Sequence, residues 1–374
     1  MPLNLTQLRA DTGGAGKVTH FNNAGSSLMP RQVTDAVVGH LRREEEIGGY
    51  EAAAEAAPNL DRVRVSLAQL IGANPGDIAL TESGSNAWAA AVSALSLTAP
   101  RVLLARTEYA GNVLALRRLA RHRNLQLVVL EDDDGGKPSV DHLQQELATG
   151  DVGLVALTHV PMTGGPVNPA AEFGSLCRDA GVPLALDACQ SVGQMPLNVA
   201  ELGCDILVGT GRKFLRGPRG TAFAYVNPDL HGAEARMLES REASMAGRLG
   251  LGRAVDYALE LGVEAIRDRI LKLAGIMHAR LAELPGVELH TEPQHGIMTF
   301  SVRHKTPAEV KEHLARERVN VSMVQHAPST PDAVLYATLE DEPTAVRASV
   351  HCFNTEAEID RLVEVLTQLQ RTNR

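Results

Sequence analysis

The chain has 374 residues, 44% hydrophobic and 22% charged, with a net charge of −9 at pH 7. That length exceeds what one hydrophobic core fills and predicts a large unit with a smaller one. The ordinary composition excludes a disordered or fibrous chain, and the acidic balance offers no footprint for nucleic acid.

Residues 30–47 and 59–72 read as helices, with Pro30 in a first turn and Pro58 opening the second. Between them, EAAAEAA (Glu51–Ala57) is Ala-rich and ends at Pro58. TESGSNAW (Thr81–Trp88) reads as a turn that opens a helix. Short apolar runs follow at Val102–Ala105, Leu127–Leu130, Leu154–Thr158, Leu184–Leu186, Ile206–Val208 and Ala222–Val226. Amphipathic segments such as Gly111–Arg123 and Pro169–Ala180 lie between them. Strands alternating with helices predict an α/β fold with a mostly parallel sheet covered on both faces. Near-continuous apolar strands suit that burial.

Residues 254–284 read as one long helix, with Val255, Leu259, Ile266, Ile270, Leu273 and Met277 near one face. A strand (Ile297–Val302), a helix (Pro307–Arg316), strands at Val319–Met323 and Ala345–Val350, and a closing helix (Glu356–Gln370) follow. This pattern predicts a separate α+β unit. The expected division is a large domain over 15–255 and a small domain over 256–374, joined by segment 1–14.

The N-terminal stretch lacks the charged start and apolar run of a secretory signal, and no run reaches the ~18 apolar residues of a membrane helix. A cytoplasmic protein without membrane contact is expected. Cys177, Cys189, Cys204 and Cys352 form no C-x-x-C pair and read as reduced packing residues. The thirteen histidines show no H-E-x-x-H or paired ligand spacing, so no metal site is expected. His159 follows a strand and reads as a core or rim histidine. Glu131–Asp134 before Gly135-Gly136 reads as a solvated acidic turn.

In an open parallel sheet, ligands bind beyond the carboxyl ends of the strands. Four such places carry chemistry. VPLAL is followed at once by Asp187 and, three residues on, Gln190; CDILV is followed by Gly209-Thr210-Gly211-Arg212-Lys213. Gly84 and Ser85, at the helix start, offer backbone N–H groups and a hydroxyl to an anion. Glu108 and Tyr109 follow a strand in RVLLARTEYAGN. Singly these read as a helix cap, a surface lysine, an ordinary helix start and a packing tyrosine. Together, a carboxylate for a protonated pyridine nitrogen, a lysine for a Schiff base, a helix start for a phosphate and an aromatic ring for stacking are the parts of a pyridoxal-phosphate site.

Those residues resemble the class V, fold-type-I pyridoxal-phosphate enzymes, the group of cysteine desulfurases, selenocysteine lyases and isopenicillin N epimerases. The resemblance spans nearly the whole chain. It is carried by HFNNAGSSLMP (His20–Pro30), ESGSNAW (Glu82–Trp88), LTHVPMTGGPVNP (Leu157–Pro169), LDACQSVGQMPLNV (Leu186–Val199), VGTGRKFLRGPRG (Val208–Gly220) and VRASVHCFNTEAEID (Val346–Asp360). It implies Lys213 as the Schiff-base lysine and proton shuttle, Asp187 on the pyridinium nitrogen and Gln190 on the phenolic oxygen. It implies Tyr109 as the stacking ring and Gly84, Ser85, Thr210 and Arg212 around the phosphate. Arg212 stands where the desulfurases carry a histidine, which adds a fixed charge. Ser244 is implied to reach the phosphate of a neighbouring subunit in a homodimer with shared sites. Arg347 would clamp a substrate α-carboxylate, and Asn22 and Asn23 would line the entrance.

Two departures bear on the reaction. Met162 and Thr163 replace the asparagine that the desulfurase motif places beneath the ring. The stretch NVSMVQHAPSTPDAV (Asn320–Val334), which matches the desulfurases' cysteine-bearing loop, has no cysteine. Cys352 follows a strand instead. REEEIGGYEAAAEAAPNLDRVR (Arg43–Arg64) together with EYAGN is similar to the ergothioneine-pathway lyases, which cleave the C–S bond of hercynylcysteine sulfoxide. There Tyr50 would contact the substrate; the alternative is a packing tyrosine at a Gly-capped helix end. The resemblance implies a C–S β-lyase acting on an S-substituted cysteine or its sulfoxide, with a class V aminotransferase or epimerase of a small amino acid as the alternative.

Overall fold

The computed structural model describes residues 3–230, 235–240, 242–325, 331–336 and 342–371. Seven apolar segments form its main sheet, in the spatial order Ile78–Thr81, Ala222–Val226, Ile206–Thr210, Leu184–Asp187, Val152–Thr158, Arg101–Leu104 and Gln126–Val129. Ala222–Val226 runs antiparallel to both neighbours; every other pairing is parallel. The central segments are buried along their full length. Both faces are covered, so these strands have no need of polar alternation.

Successive residues of a strand point to opposite faces, and the core divides accordingly. Leu103, Val155, Leu157, Leu186 and Leu207 pack on one side with Phe173 and Ile270. Val102, Leu104, Leu154, Ala185 and Val208 pack on the other with Trp88 and Val113. The helices Gly84–Ala94, Ala110–Arg123 and Ala170–Ala180 connect sheet strands. The helices Arg31–Ile47, Ala57–Ile71 and Met245–Leu261 pack together.

A second, antiparallel sheet has the order Ser322–Val324, Ala345–Ser349, Ile297–Val302 and Val287–Leu289. The helices Pro307–Arg316 and Glu356–Arg371 pack near it. A short parallel pair, Thr19–His20 with Val319–Asn320, ties the N-terminal segment to this unit. The helix Leu5–Asp11 joins the same side, where Arg9 donates to the Phe353 carbonyl and to Glu358, each at 3.0 Å.

Several elements depart from the sequence expectation. The long helix expected over 254–284 is two, Met245–Leu261 and Val263–Ala282. Gly262 separates them at φ 81°, a left-handed conformation that interrupts a helix and that glycine adopts without a Cβ clash. We propose that the large and small units meet along this helix pair; the division expected at 255/256 falls inside the first helix. The strand expected at Val319–Met323 is split: Val319–Asn320 pairs with the N-terminal segment, and Ser322–Val324 with Ala345–Ser349. Pro30 caps its helix with ψ 151° rather than standing in the first turn. The Ala-rich stretch forms a helix of its own, Gly49–Glu55, and Pro58 sits in the first turn of the next. The expected elements did not include Leu5–Asp11, Thr19–His20, Ile78–Thr81, Val140–Leu147, Val199–Leu202 or Val287–Leu289, all eight residues or fewer. No helix among the described residues is long and apolar enough to cross a membrane.

Candidate active site

Strand direction gathers the site. Thr81, Thr158, Asp187 and Thr210 close parallel strands at one edge of the sheet. Ala222 opens the antiparallel strand at that same edge, opposite Thr81 and Thr210. The segments leaving these ends surround a cavity of about 310 Å³, at the low end of the size range of small-molecule sites.

Asp187 is buried, and its two oxygens are held separately. Oδ1 accepts from the Cys189 backbone N–H at 2.8 Å and Oδ2 from Asn112 Nδ2 at 2.7 Å. Lys213 lies in the turn after Ile206–Thr210, half-buried, with its amine pKa lowered by burial. Arg212 and Arg347 act in the same direction, and Cys189 and Asp187 oppose them. A lowered amine pKa leaves more of the lysine neutral, as a base requires.

The turn itself is clamped. The Arg216 backbone N–H donates to the Lys213 carbonyl at 3.0 Å, and Gly217 N–H to the Gly211 carbonyl at 2.7 Å. Arg216, at φ 61°, sends its buried guanidinium to the Leu28 carbonyl and the Thr12 hydroxyl, with Phe353 stacked beneath at 4.6 Å. From the small sheet, His351 Nε2 donates to the Phe214 carbonyl at 2.9 Å. Burial takes the pKa of His351 down to about 3, so the ring is neutral at physiological pH.

The helix Gly84–Ala94 begins at the cavity. Its cap, Ser83, accepts from the Asn86 N–H, which leaves Gly84 and Ser85 at an open first turn. A Cβ on Gly84 would stand 2.6 Å from Cys189 Sγ, so glycine permits this helix to start against the strand end. Arg212 donates to the Gly25 carbonyl. Gln190 Nε2 donates to the Ala24 carbonyl at 3.2 Å, and Gln190 Oε1 is buried without a partner among the described residues. Arg347, on Ala345–Ser349, donates from Nη1 to the Met162 carbonyl at 3.1 Å; its buried Nε has no partner among the described residues. Burial, with Arg212 nearby, takes the Arg347 pKa down to about 10, so it stays charged at neutral pH.

The cavity thus brings together Gly84, Ser85, Tyr109, Asp187, Gln190, Thr210, Arg212, Lys213 and Arg347. Four other expected site residues lie off it. Asn23 is buried and spent on structure: its amide donates to the carbonyls of Ser349 and His20, and its Oδ1 accepts from Ser27. Its neighbours Ala24 and Gly25 line the cavity instead, and Asn22 does not. Tyr50 is 80% exposed on the helix Gly49–Glu55. Ser244 caps the helix Met245–Leu261, accepting from the Gly247 N–H. Cys352 is buried beside His351, away from the cavity lining. His159 is buried off the lining with Nδ1 unpartnered among the described residues, and burial beside His295 takes its pKa down to about 4. Part of the stretch matched to the cysteine-bearing loop, residues 326–330, lies outside the described residues.

Sequence reasoning missed Asn112, Thr158, Glu82 and Arg219, which also line the cavity. Asn112 had a signal: it stands four residues after Glu108, in the first turn of the helix that follows the strand Arg101–Leu104. Among the described residues no three His, Cys, Asp or Glu side chains are grouped as a metal ion would need.

The donor set fits pyridoxal phosphate. A doubly held carboxylate suits a protonated ring nitrogen. The partly neutral lysine suits a carbonyl carbon, and the open helix start beside Arg212 suits a phosphate. The unpartnered Gln190 oxygen and the Tyr109 ring complete a pocket polar at its ends.

Comparison with known proteins agrees. A "Probable cysteine desulfurase" of Methanothermobacter thermautotrophicus is 28% identical over 86% of each chain. A "Probable hercynylcysteine sulfoxide lyase" of Mycobacterium tuberculosis is 29% identical over 93% of this chain and 89% of that one. The apo cysteine desulfurase from Thermococcus onnurineus superposes with a TM-score of 0.86 over 100% of this chain and 99% of its own; at 22% identity this shows the fold. The sequence model described as aminotransferase class-V matches residues 19–240 and 233–362. With that match over most of its length and the cavity built as above, the chain belongs to the aminotransferase class-V family of pyridoxal-phosphate enzymes.

Proposed function

We propose that the protein is a carbon–sulfur β-lyase that acts on an S-substituted cysteine or its sulfoxide, of the kind found in hercynylcysteine sulfoxide. One observation carries the choice within the family: the state of the thiols. A desulfurase needs an accessible, ionisable thiol to take sulfur from its substrate. All four cysteines here are buried. Burial pushes Cys177 and Cys204 up to about 12, Cys352 up to about 11, and Cys189 well above its ordinary range. Cys189 touches the cavity, but its Sγ is directed at the Val208 carbonyl and the Gly84 helix start. A β-lyase has no need of a protein thiol.

When bound, pyridoxal phosphate supplies an electron sink for the bonds at the substrate's α-carbon. The chain's own residues do the rest. Arg347 holds the α-carboxylate through its guanidinium, whose Nε has no partner among the described residues. Asp187 would hold the ring nitrogen, and Lys213 Nζ takes the Cα proton. The Cβ–S bond then breaks with its electron pair going to sulfur. The remaining enamine takes up water to give pyruvate and ammonium, and sulfur leaves as thiol, or as sulfenic acid from a sulfoxide, with no net change of redox state. A sulfenate is the better leaving group and asks less of a general acid. That suits a cavity whose described lining holds no histidine.

A homodimer with shared sites belongs to the same proposal. Tyr50 and Ser244, which lie off the cavity of their own subunit, would then serve the neighbouring one.

The test uses purified holoenzyme and a panel of S-substituted cysteines, their sulfoxides and plain amino acids. Pyruvate and ammonia in equal amounts, with the cofactor's absorption persisting through many turnovers, supports the lyase. Alanine formed from cysteine with sulfur retained on the protein makes it a desulfurase. Loss of the cofactor's absorption that a keto acid restores makes it an aminotransferase.

A further inference from the structure

Behind Asp187 stands a second buried carboxyl group that the chemistry above does not use. Glu108 follows the strand Arg101–Leu104, and Asn112 lies one helical turn further on, in Ala110–Arg123. The Asn112 side-chain amide spans the two acids, with Nδ2 donating to Glu108 Oε1 at 2.8 Å and to Asp187 Oδ2 at 2.7 Å. Glu108 Oε1 also accepts from the Thr158 hydroxyl at 2.6 Å and from the Tyr109 N–H at 3.2 Å. Its other oxygen, Oε2, is buried and without a partner among the described residues. The carboxyl is therefore loaded with three donors on one oxygen and bare on the other.

We propose that Glu108 is a positioning residue for Asp187, acting through the shared amide of Asn112 and tuning how strongly Asp187 holds a positive charge in the cavity. The inference rests on the cavity being a pyridoxal-phosphate site and is independent of which C–S bond is cleaved. An amide NH₂ donates one hydrogen to each carboxyl. When Glu108 is neutral it is the weaker acceptor, and Asp187 takes the stronger share of that amide. When Glu108 is ionised, two negative groups straddle one amide and the field at Asp187 becomes more negative.

The switch falls in the working range of pH. Burial, with Asp187 adding to it, takes the Glu108 carboxyl up to about 7. The ionisable groups around this pair are Tyr109, on its own element, and Lys213 and Cys189, which interact with Asp187 from neighbouring segments. A carboxyl whose folded pKa is raised stabilises the fold fully below its unfolded value near 4.5. That contribution is lost as pH rises through about 7.

The test compares wild type, Glu108→Gln and Asn112→Ala across pH 5–9, with two readouts. The first is the thermal midpoint of the apo-protein, which involves neither cofactor nor substrate. Glu108→Gln is expected to gain on wild type from pH 5 to about pH 7 and to level off above that, because glutamine cannot ionise; a difference that stays constant with pH overturns the proposal. The second is the visible absorption of the holoenzyme titrated with pH. Its midpoint is expected to shift by about one unit in Glu108→Gln, the scale for a unit charge a few ångströms away in a partly buried site. Asn112→Ala is expected to move the same midpoint by removing the bridge, and it serves alone if Glu108→Gln does not fold. Midpoints unchanged in the variants overturn the proposal. Because no substrate is added, the outcome is separate from the lyase assay.

Discussion

The two walls of the cavity are built differently. On the main-sheet wall the acid and the base are tied down: Asp187 accepts on both oxygens, and the Lys213 turn is clamped by backbone bonds, by Arg216 and by His351, while Gln190 Oε1 is the unpartnered exception among the described residues. On the small-sheet wall Arg347 donates to the Met162 carbonyl and keeps a buried Nε without a partner among the described residues. A buried donor without a partner is costly unless a ligand completes it. The first wall holds groups in place for proton chemistry, and the second is left ready for an anion. Substitutions on the first wall are thus expected to act on kcat, and those on the second on KM.

Four experiments sharpen or break that contrast. Lys213→Ala removes the base and the cofactor's anchor; turnover should fall by about 10³-fold or more, with loss of the bound cofactor's characteristic absorption. Turnover close to wild type would remove Lys213 from the chemistry. Asp187→Asn keeps the shape but not the charge; kcat should drop by about 10²-fold while the cofactor stays bound. A change confined to KM would dissolve the distinction between the walls. Arg347→Ala should leave kcat within a few-fold and raise KM about 10–100-fold, as expected for a hydrogen bond to a charged group. If kcat falls as far as in Asp187→Asn, Arg347 belongs functionally to the first wall.

The smallest effect concerns packing. Gly84→Ala places a methyl against Cys189 Sγ and should cost about 1–3 kcal/mol together with weaker cofactor binding. The double variant Gly84→Ala, Cys189→Ala should recover most of that loss in thermal midpoint and in cofactor affinity. No recovery would mean that the close approach of this helix to the strand end is not what requires glycine.

Much of the fold was legible because its strands are apolar runs buried on both sides. Ala222–Val226, Ile297–Val302 and Pro307–Arg316 match their expected bounds. The short edge elements were not. Ile78–Thr81 is four residues whose burial comes from pairing with Ala222–Val226, a partner more than a hundred residues away. The long amphipathic pattern at 254–284 hid its break, because the apolar stripe continues past Gly262 while the backbone does not. At the site, residues in a local motif were found: Asp187 and Lys213 each follow an apolar run, and Gly84 opens a helix. Asn112 was passed over because its partners, Glu108 and Asp187, come from separate strand ends.

The sequence by itself determined the α/β alternation, the strand ends that carry Asp187 and Lys213, and the absence of a cysteine between Cys204 and Cys352. These are properties of composition and near spacing, and near spacing sets local structure. Only the tertiary structure decided that all four thiols are buried, that Arg347 Nε lacks a partner among the described residues, that Tyr50 faces solvent, and that Glu108 and Asp187 share one amide. Burial and long-range hydrogen bonds depend on which segments the sheet brings side by side. They set the ionisation of Cys189, Lys213 and Glu108, and with it the chemistry the cavity can perform.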